Sequence, residues 1–291
     1  MNLAAVLARE FAPVNQAWSW RDAALYAVAL GMGSDPLDAD ELPYVYEGRE
    51  GESQVRAVPS YCVTLGWLPF WQDDPRLQIG WECILHGELS FRLHAPLRDH
   101  GSVRATHRIA AVDDKGIGRG AIVHVDKELY DTGSGTHLAS LRSVEFLRED
   151  GGCGSHGEAR TATTPLPADF DPNLQVDYAT ARHAALLYRL ASRDWMPIHA
   201  DPVAASQAGF ERPISHGLHN LGLACRAVLK HILPGQPQAL RGMAVRFAGA
   251  GYPGDTVRVE LQRRGEVVRF RARALERDVL LLDRGTCWLG G

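Results

Sequence analysis

An acid and a base stand five residues apart in one short stretch, Asp194-Trp195-Met196-Pro197-Ile198-His199. A carboxylate and an imidazole so placed can share a water molecule and move its protons near neutral pH. The stretch cannot be helical, because Pro197 has no N–H and pushes Met196 toward extended backbone. Asp201 and Pro202 then read as the N-cap and first residue of a short helix over residues 203–208, which Gly209 ends. Pro213 forces another extended step. Beyond it, an apolar run over residues 217–233 places Leu218, Leu221, Ala224, Cys225, Val228, Leu229 and Ile232 at helical spacing. Gly217 opens that helix. Its free N–H suits a developing negative charge, and glycine lets a ligand approach the backbone closely. Acid, base and helix N-terminus are the parts needed for chemistry at a carbonyl.

Each part also has a plainer reading. Asp194 alone could close an Asx turn, His199 alone could be a surface histidine, and His216 could be a buried cap residue. Their company on an irregular stretch before a long buried helix favours the chemical reading. His219 and His231 read as helix-face residues. The other histidines have no paired acid. His199 and Asp201 lie two apart, but spacing supplies no third ligand, so no metal is expected. No GxSxG, GxGxxG or Walker-type loop occurs, which argues against a serine hydrolase, a dinucleotide enzyme or an ATPase.

The elements that must hold these residues follow from pattern. The first 16 residues read as a helix rather than a signal peptide, since no basic stretch precedes the apolar run. A capped, well-buried helix begins near Trp20 and ends at Gly31 or Gly33. Residues 59–68 have the β-branched and aromatic content of a strand. Strands are then expected over residues 85–93, 102–112, 118–130 and 136–147. The glycine-rich residues 151–157 read as a flexible linker. A second helical run is expected over residues 176–190. Four strands close the chain, over residues 240–247, 256–263, 267–275 and 279–288. Both halves thus show helix first and strands after, as in a duplicated α+β unit.

The net charge of −4 gives no reason to expect a nucleic-acid or anionic-membrane partner. No apolar run reaches the roughly 18 residues of a membrane span. Five scattered cysteines without a CxxC fit free thiols in a reducing compartment, read here as the cytoplasm.

These residues resemble a known family. Asp194-Trp-Met-Pro-Ile-His199-Ala-Asp201-Pro, followed by Arg212-Pro-Ile-Ser-His-Gly217-Leu, is similar to the hydratase 2 motif of the MaoC-like acyl dehydratases, the (R)-specific enoyl-CoA hydratases. Residues 23–33, Val58-Pro59-Ser60, Leu85-His86-Gly87-Glu88, Asp114-Lys115-Gly116 and Arg246-Phe247 with Tyr252-Pro253-Gly254-Asp255 resemble the double hot-dog form. The resemblance implies an α+β double hot dog, each unit a long helix wrapped by an antiparallel sheet. Residues 1–150 would form an N-terminal hot dog without an acid–base pair, 151–160 a linker and 161–291 the catalytic unit.

By position, Asp194 and His199 would be the catalytic pair and Gly217 the oxyanion donor. His86, Gly87, Lys115 and Phe247 would contact an acyl-CoA substrate, Lys115 at a CoA phosphate. Trp195, Met196, Pro197 and Ile198, between acid and base, are expected to meet the substrate. No cofactor is implied, and a homodimer is. The family usually has Gly and Asn where this chain has Arg193 and Met196. That difference leaves room for a partner-dependent or non-catalytic acyl-CoA binding subunit, and a hot-dog thioesterase is a further alternative.

Overall fold

Alternation of apolar and polar residues makes long strands here, and the strands form one antiparallel sheet. The computed structural model describes residues 1–48, 55–159 and 161–290. Residue 160, the end of the expected linker, residue 291 and residues 49–54 lie outside the described residues. In chain order the elements are α1 (Leu3–Leu7), β1 (Val14–Trp18), α2 (Trp20–Ala29), β2 (Ile84–Leu93), β3 (Gly101–Asp114), β4 (Ala121–Asp131) and β5 (His137–Leu147). They continue with β6 (Leu174–Ala179), α3 (Ala184–Ser192), α4 (Pro202–Gln207), α5 (Gly217–His231), β7 (Leu240–Phe247), β8 (Thr256–Arg264), β9 (Val267–Ala274) and β10 (Val279–Leu289).

The ten-stranded sheet runs β1-β3-β4-β5-β2-β7-β10-β9-β8-β6. Each half therefore has the same internal order, with β6, β8, β9, β10 and β7 repeating β1, β3, β4, β5 and β2. The halves join edge to edge through β2 and β7, from Glu88 opposite Arg246 to Arg92 opposite Gly242. Among the described residues no helix is long and apolar enough to cross a membrane.

Helix α5 is buried on every side from Leu218 to Leu229, as a helix wrapped by a sheet must be. Gly222 lets α2 come close, since a Cβ there would stand 2.3 Å from Leu30 Cδ2. Arg226 on α5 is tied to the N-terminal half by a buried bidentate pair with Glu41 (2.5 and 2.8 Å) and by a bond to Leu30 O (2.9 Å).

Four local expectations give way. Residues 59–68 form no strand. Pro59–Val63 is a 3-10 helix, fully buried against α5. Its i→i+3 bonds (Tyr61 N–H to Val58 O, 2.8 Å; Thr64 N–H to Tyr61 O, 3.0 Å) fit the proline at its start. The β-branched and aromatic content reflects burial, with Tyr61 1% and Val63 2% exposed. This short helix occupies, between α2 and β2, the chain position that α5 holds in the C-terminal half.

Residues 176–190 are also not one helix. Val176 and Tyr178 face the core and Gln175 and Asp177 face out, so Leu174–Ala179 pairs with β8, and α3 starts only at Ala184. At the N-terminus only Leu3–Leu7 is helical, and Val14 to Gln16 already belong to β1. The glycine-rich segment after β5 is docked rather than loose. Asp114 accepts the N–H groups of Gly152 (2.7 Å) and Gly154 (2.8 Å), and Glu88 accepts Ala162 N–H (2.9 Å) and Thr163 Oγ1–H (2.7 Å).

Candidate active site

The acid–base stretch begins where α3 ends. Arg193 caps α3 in the left-handed region, φ +61°, and turns the chain. Asp194 follows it into the interior, 8% exposed. Its N–H donates to Ser192 Oγ (3.2 Å), and its Oδ1 accepts the N–H of Met196 (3.1 Å). Met196 brings no polar side chain, so its backbone holds the carboxylate. Pro197–His199 then forms one 3-10 turn. The turn packs on the extended segment before α5, where Ile214 N–H donates to Ile198 O (3.1 Å). His199 Nδ1 donates to Ile214 O (2.9 Å). A carbonyl can only accept, so Nδ1 carries the proton and Nε2 of the neutral ring is bare.

His216 stacks on His199, ring centres 3.7 Å apart and planes 24° apart, with Tyr188 5.0 Å from His216. Neither ring nitrogen of His216 meets a hydrogen-bond partner. Burial pushes His199 below its ordinary value, against the pull of Asp194. Burial, with the neighbouring His199 and His219, drives His216 down to about 2. Both rings are neutral at pH 7. Asp194, His199 and His216 bring ligand-capable atoms within 4.8 Å of one another, the one such group among the described residues. Stacked imidazoles send their lone pairs along near-parallel planes instead of onto one point. The geometry therefore suits a water held by Asp194 and His199 better than a metal ion.

Gly217 is the first residue of α5, directly after His216. Its N–H is a first-turn donor, aimed out of the helix end. A Cβ at this position would stand 2.8 Å from the Phe247 ring, so packing also demands glycine. Phe247 in turn lies on His86, ring centres 4.6 Å apart. His86 Nε2 bonds Ser143 Oγ (3.0 Å), and Gly87 runs close to Val144 O. Asp194, His199, Gly217, Phe247, His86 and Gly87 thus gather where the start of β2 meets the end of β7.

The remaining expected residues sit further out. Trp195 is 51% exposed, with the Arg189 guanidinium 4.7 Å from its ring centre. Met196 and Ile198 are half-buried and Pro197 is exposed. Lys115 lies in the β3–β4 turn, outside the cluster, and pairs with Asp113 on the surface. His219 on α5 is buried and donates to Ala29 O (3.1 Å). The sequence places His216 at the helix start, but no sequence signal marks its stacking on His199.

The repeated architecture locates the matching point in the N-terminal half. There α2 ends at a left-handed Gly31, φ +77°, and the next residue is Met32, 3% exposed in the core. A thioether stands where the other half has Asp194.

Comparison with known proteins agrees with this layout. Residues 17–149 match the MFE-2 hydratase 2 N-terminal domain, and residues 164–283 match the MaoC like domain. The chain is 32% identical over 289 residues to the peroxisomal enoyl-CoA hydratase 2 of Arabidopsis thaliana, covering 95% of this chain and 92% of that one. The crystal structure of a MaoC-like dehydratase from Phytophthora capsici superposes with a TM-score of 0.84 at 29% identity, over 100% of this chain and 99% of that one. A Mycobacterium tuberculosis protein described as having a double hot-dog fold superposes with a TM-score of 0.58 over 97% of this chain and 94% of its own, and at 15% identity bears on the fold alone. By this similarity, spread over nearly its whole length, the chain belongs to the hydratase 2 family of MaoC-like enzymes and has their double hot-dog fold.

Proposed function

We propose that this protein is a hydro-lyase that adds water reversibly across a trans-2-enoyl-CoA to give the (3R)-3-hydroxyacyl-CoA. One observation carries the reading: a buried carboxylate and a neutral imidazole with a bare Nε2 converge beside the N-terminus of a buried helix. Asp194 and His199 hold one water between them. As the water oxygen bonds C3, the C2=C3 electron pair moves toward the thioester, and its oxygen becomes an enolate. The Gly217 N–H and the α5 dipole stabilise that charge. His199 Nε2 takes a proton from the water, and the pair returns a proton to C2 on the same face. The step moves only a water and its protons and calls for no redox group.

In this reading residues 161–291 form the catalytic unit, residues 151–160 connect, and residues 1–150 supply acyl space and no second acid–base pair. Trp195, Met196, Pro197 and Ile198 form the mouth, and Lys115 meets a CoA phosphate once released from Asp113. All five cysteines are free, which supports a reducing compartment, the cytoplasm or the peroxisome. The family resemblance supports a homodimer.

The test is loss of the enoyl-thioester absorbance from crotonyl-CoA, with chiral analysis of the product. Asp194→Asn and His199→Gln are each expected to cost about 100-fold or more in kcat with the melting temperature kept. Near-wild-type rates in both variants would remove the pair from the mechanism. Free thiol in place of hydrated product would make the protein a thioesterase. Tight binding without turnover would make it a binding subunit.

A further inference from the structure

His216 is a buried ring that the hydration chemistry leaves without a task. It is the N-cap residue of α5, yet its side chain makes no bond to the helix end. A capping side chain ordinarily turns onto those free N–H groups. His216 turns instead onto His199, ring centres 3.7 Å apart and planes 24° apart. It is the last of four rings that stand behind the base. Tyr61, on the 3-10 helix Pro59–Val63, lies 5.1 Å from Tyr26 on α2. Tyr26 lies 5.8 Å from Tyr188 on α3, and Tyr188 lies 5.0 Å from His216. None of the four is more than 1% exposed, and His199 is 8% exposed.

The far end of this column is fixed in the N-terminal half. Tyr26 Oη donates to Ser60 Oγ (3.1 Å), which ties α2 to Pro59–Val63. His219, three residues beyond His216, meets the Tyr188 ring edge-on at 5.5 Å and bonds Ala29 O at the end of α2 (3.1 Å). Tilted and edge-on contacts at these distances are the attractive arrangements of aromatic rings. Side chains in so dense an interior sit in one rotamer well and yield little. Tyr188 therefore cannot recede from His216, nor His216 from His199. Through this packing the N-terminal half reaches the base carried by the other half.

His199 has use for such a wall. Its Nδ1 bond to Ile214 O fixes one point of the ring. The χ2 torsion of histidine is broad, and a carbonyl oxygen accepts over a wide range of directions. Rotation about that torsion carries Nε2 away from Asp194. A stacked ring opposes the rotation, because tilting the His199 plane drives its edge into His216. One contact in the plane and one on the face leave the ring a single orientation. Such placement matters, since a displacement of about 1 Å at a reacting group can cost roughly 100-fold in rate.

We propose that His216 is a positioning residue for His199: its ring, backed by Tyr188, Tyr26 and Tyr61, clamps the imidazole so that Nε2 keeps its aim beside Asp194. This deepens the hydratase reading and rests on it for the step that Nε2 carries out. Burial holds His216 down at about 2, so it moves no proton near pH 7.

Two substitutions separate the stack from the plainer role of a helix cap. His216→Asn keeps a polar cap residue and removes the flat ring, whereas His216→Phe keeps a flat ring and removes the polar atoms. Each variant is first checked for its melting transition, and crotonyl-CoA hydration is then followed. In His216→Asn kcat is expected to fall at least about tenfold with KM within about twofold of wild type, and His216→Phe is expected to restore most of the loss. The reverse pattern, or equal kcat in all three proteins, would overturn the proposal. Tyr188→Phe and Tyr188→Leu repeat the comparison of ring with no ring one layer back, and they decide it if a His216 variant does not fold. The 15N spectrum of the histidine rings, with His199 assigned by its absence from His199→Gln, reads the clamp without turnover. His199 is expected as the single Nδ1–H tautomer in the wild type and in His216→Phe. It should become a mixture in His216→Asn, where the ring can swing off Ile214 O. A single tautomer retained in His216→Asn would overturn the clamp. A wild-type protein with a clamped ring and no crotonyl-CoA hydration would count against the hydratase reading alone.

Discussion

At the scale of single residues, the proposed chemistry turns on which nitrogen of His199 is free. The bond from Nδ1 to Ile214 O settles it, since the neutral ring then offers only Nε2. Burial keeps the ring neutral by lowering its pKa, and the Asp194 carboxylate limits how far. A base must be unprotonated to act, so kcat/KM for crotonyl-CoA is expected to be flat from pH 7 upward to the thioester's own limit. It should fall only below pH 6.5, the ordinary value for histidine. A pH–rate profile checks this. An acid limb at or above pH 6.5 would mean that the Asp194 charge outweighs burial or that another group titrates. Met196 brings no side-chain hydrogen bond to this pair, but its N–H already holds Asp194 Oδ1. The same bond would form with any residue other than proline at that position.

At the scale of elements, the two halves handle the same turn differently. Both α2 and α3 end in a left-handed residue, Gly31 in one and Arg193 in the other. A side chain there costs roughly 1–2 kcal/mol, and glycine gives back part of that gain through the entropy of its unfolded chain. Arg193 is exposed, so little packing opposes its removal. Arg193→Gly is expected to stabilise the protein by about 0.5–1 kcal/mol, a rise in Tm of about 2 °C. A fall in Tm would show that the guanidinium makes a contact worth more than the strain. Elements were readable where the residue pattern had one physical cause. Asp201 with Pro202 marked α4, and the unbroken apolar spacing from Gly217 marked α5. Residues 59–68 misled because β-branched and aromatic residues suit any buried backbone, and nothing local says that the segment lies against α5. Residues 176–190 misled because Val176 and Tyr178 fit either period. Only pairing with β8 selects strand. The meeting of Asp194 and His199 was legible because the two lie within six consecutive residues. The His216 stack joins residues from separate segments, and no spacing in the sequence announces it.

At the scale of the whole molecule, a polar interior makes stability depend on pH. Burial holds His86, His107 and His219 at about 4 and His216 at about 2, against an ordinary value of 6.5. The unfolded chain protonates all four near 6.5 and the folded chain does not, so below that value the unfolded state binds more protons. Their contribution is therefore present above pH 6.5 and is lost as pH falls toward 4. Glu145 acts in the opposite sense. Raised from 4.5 to about 7, it keeps a proton in the folded state that the unfolded state has released. Its contribution is present below pH 4.5 and is lost as pH rises through 7. Four histidines against one carboxyl leave a net uptake of about three protons on unfolding near pH 5, and His199, His94, His124 and His231, also lowered by burial, add to it. Below pH 4, Asp38 beside Lys230 and Asp177 beside Arg258, both held under the usual carboxylate range, add to the loss. Urea titrations at intervals between pH 5 and 7 measure this directly, because the slope of unfolding free energy against pH counts the protons. A slope of about three protons or more at pH 5 would establish that the interior excludes charge. A slope well below three would mean that water already solvates the buried rings in the folded state.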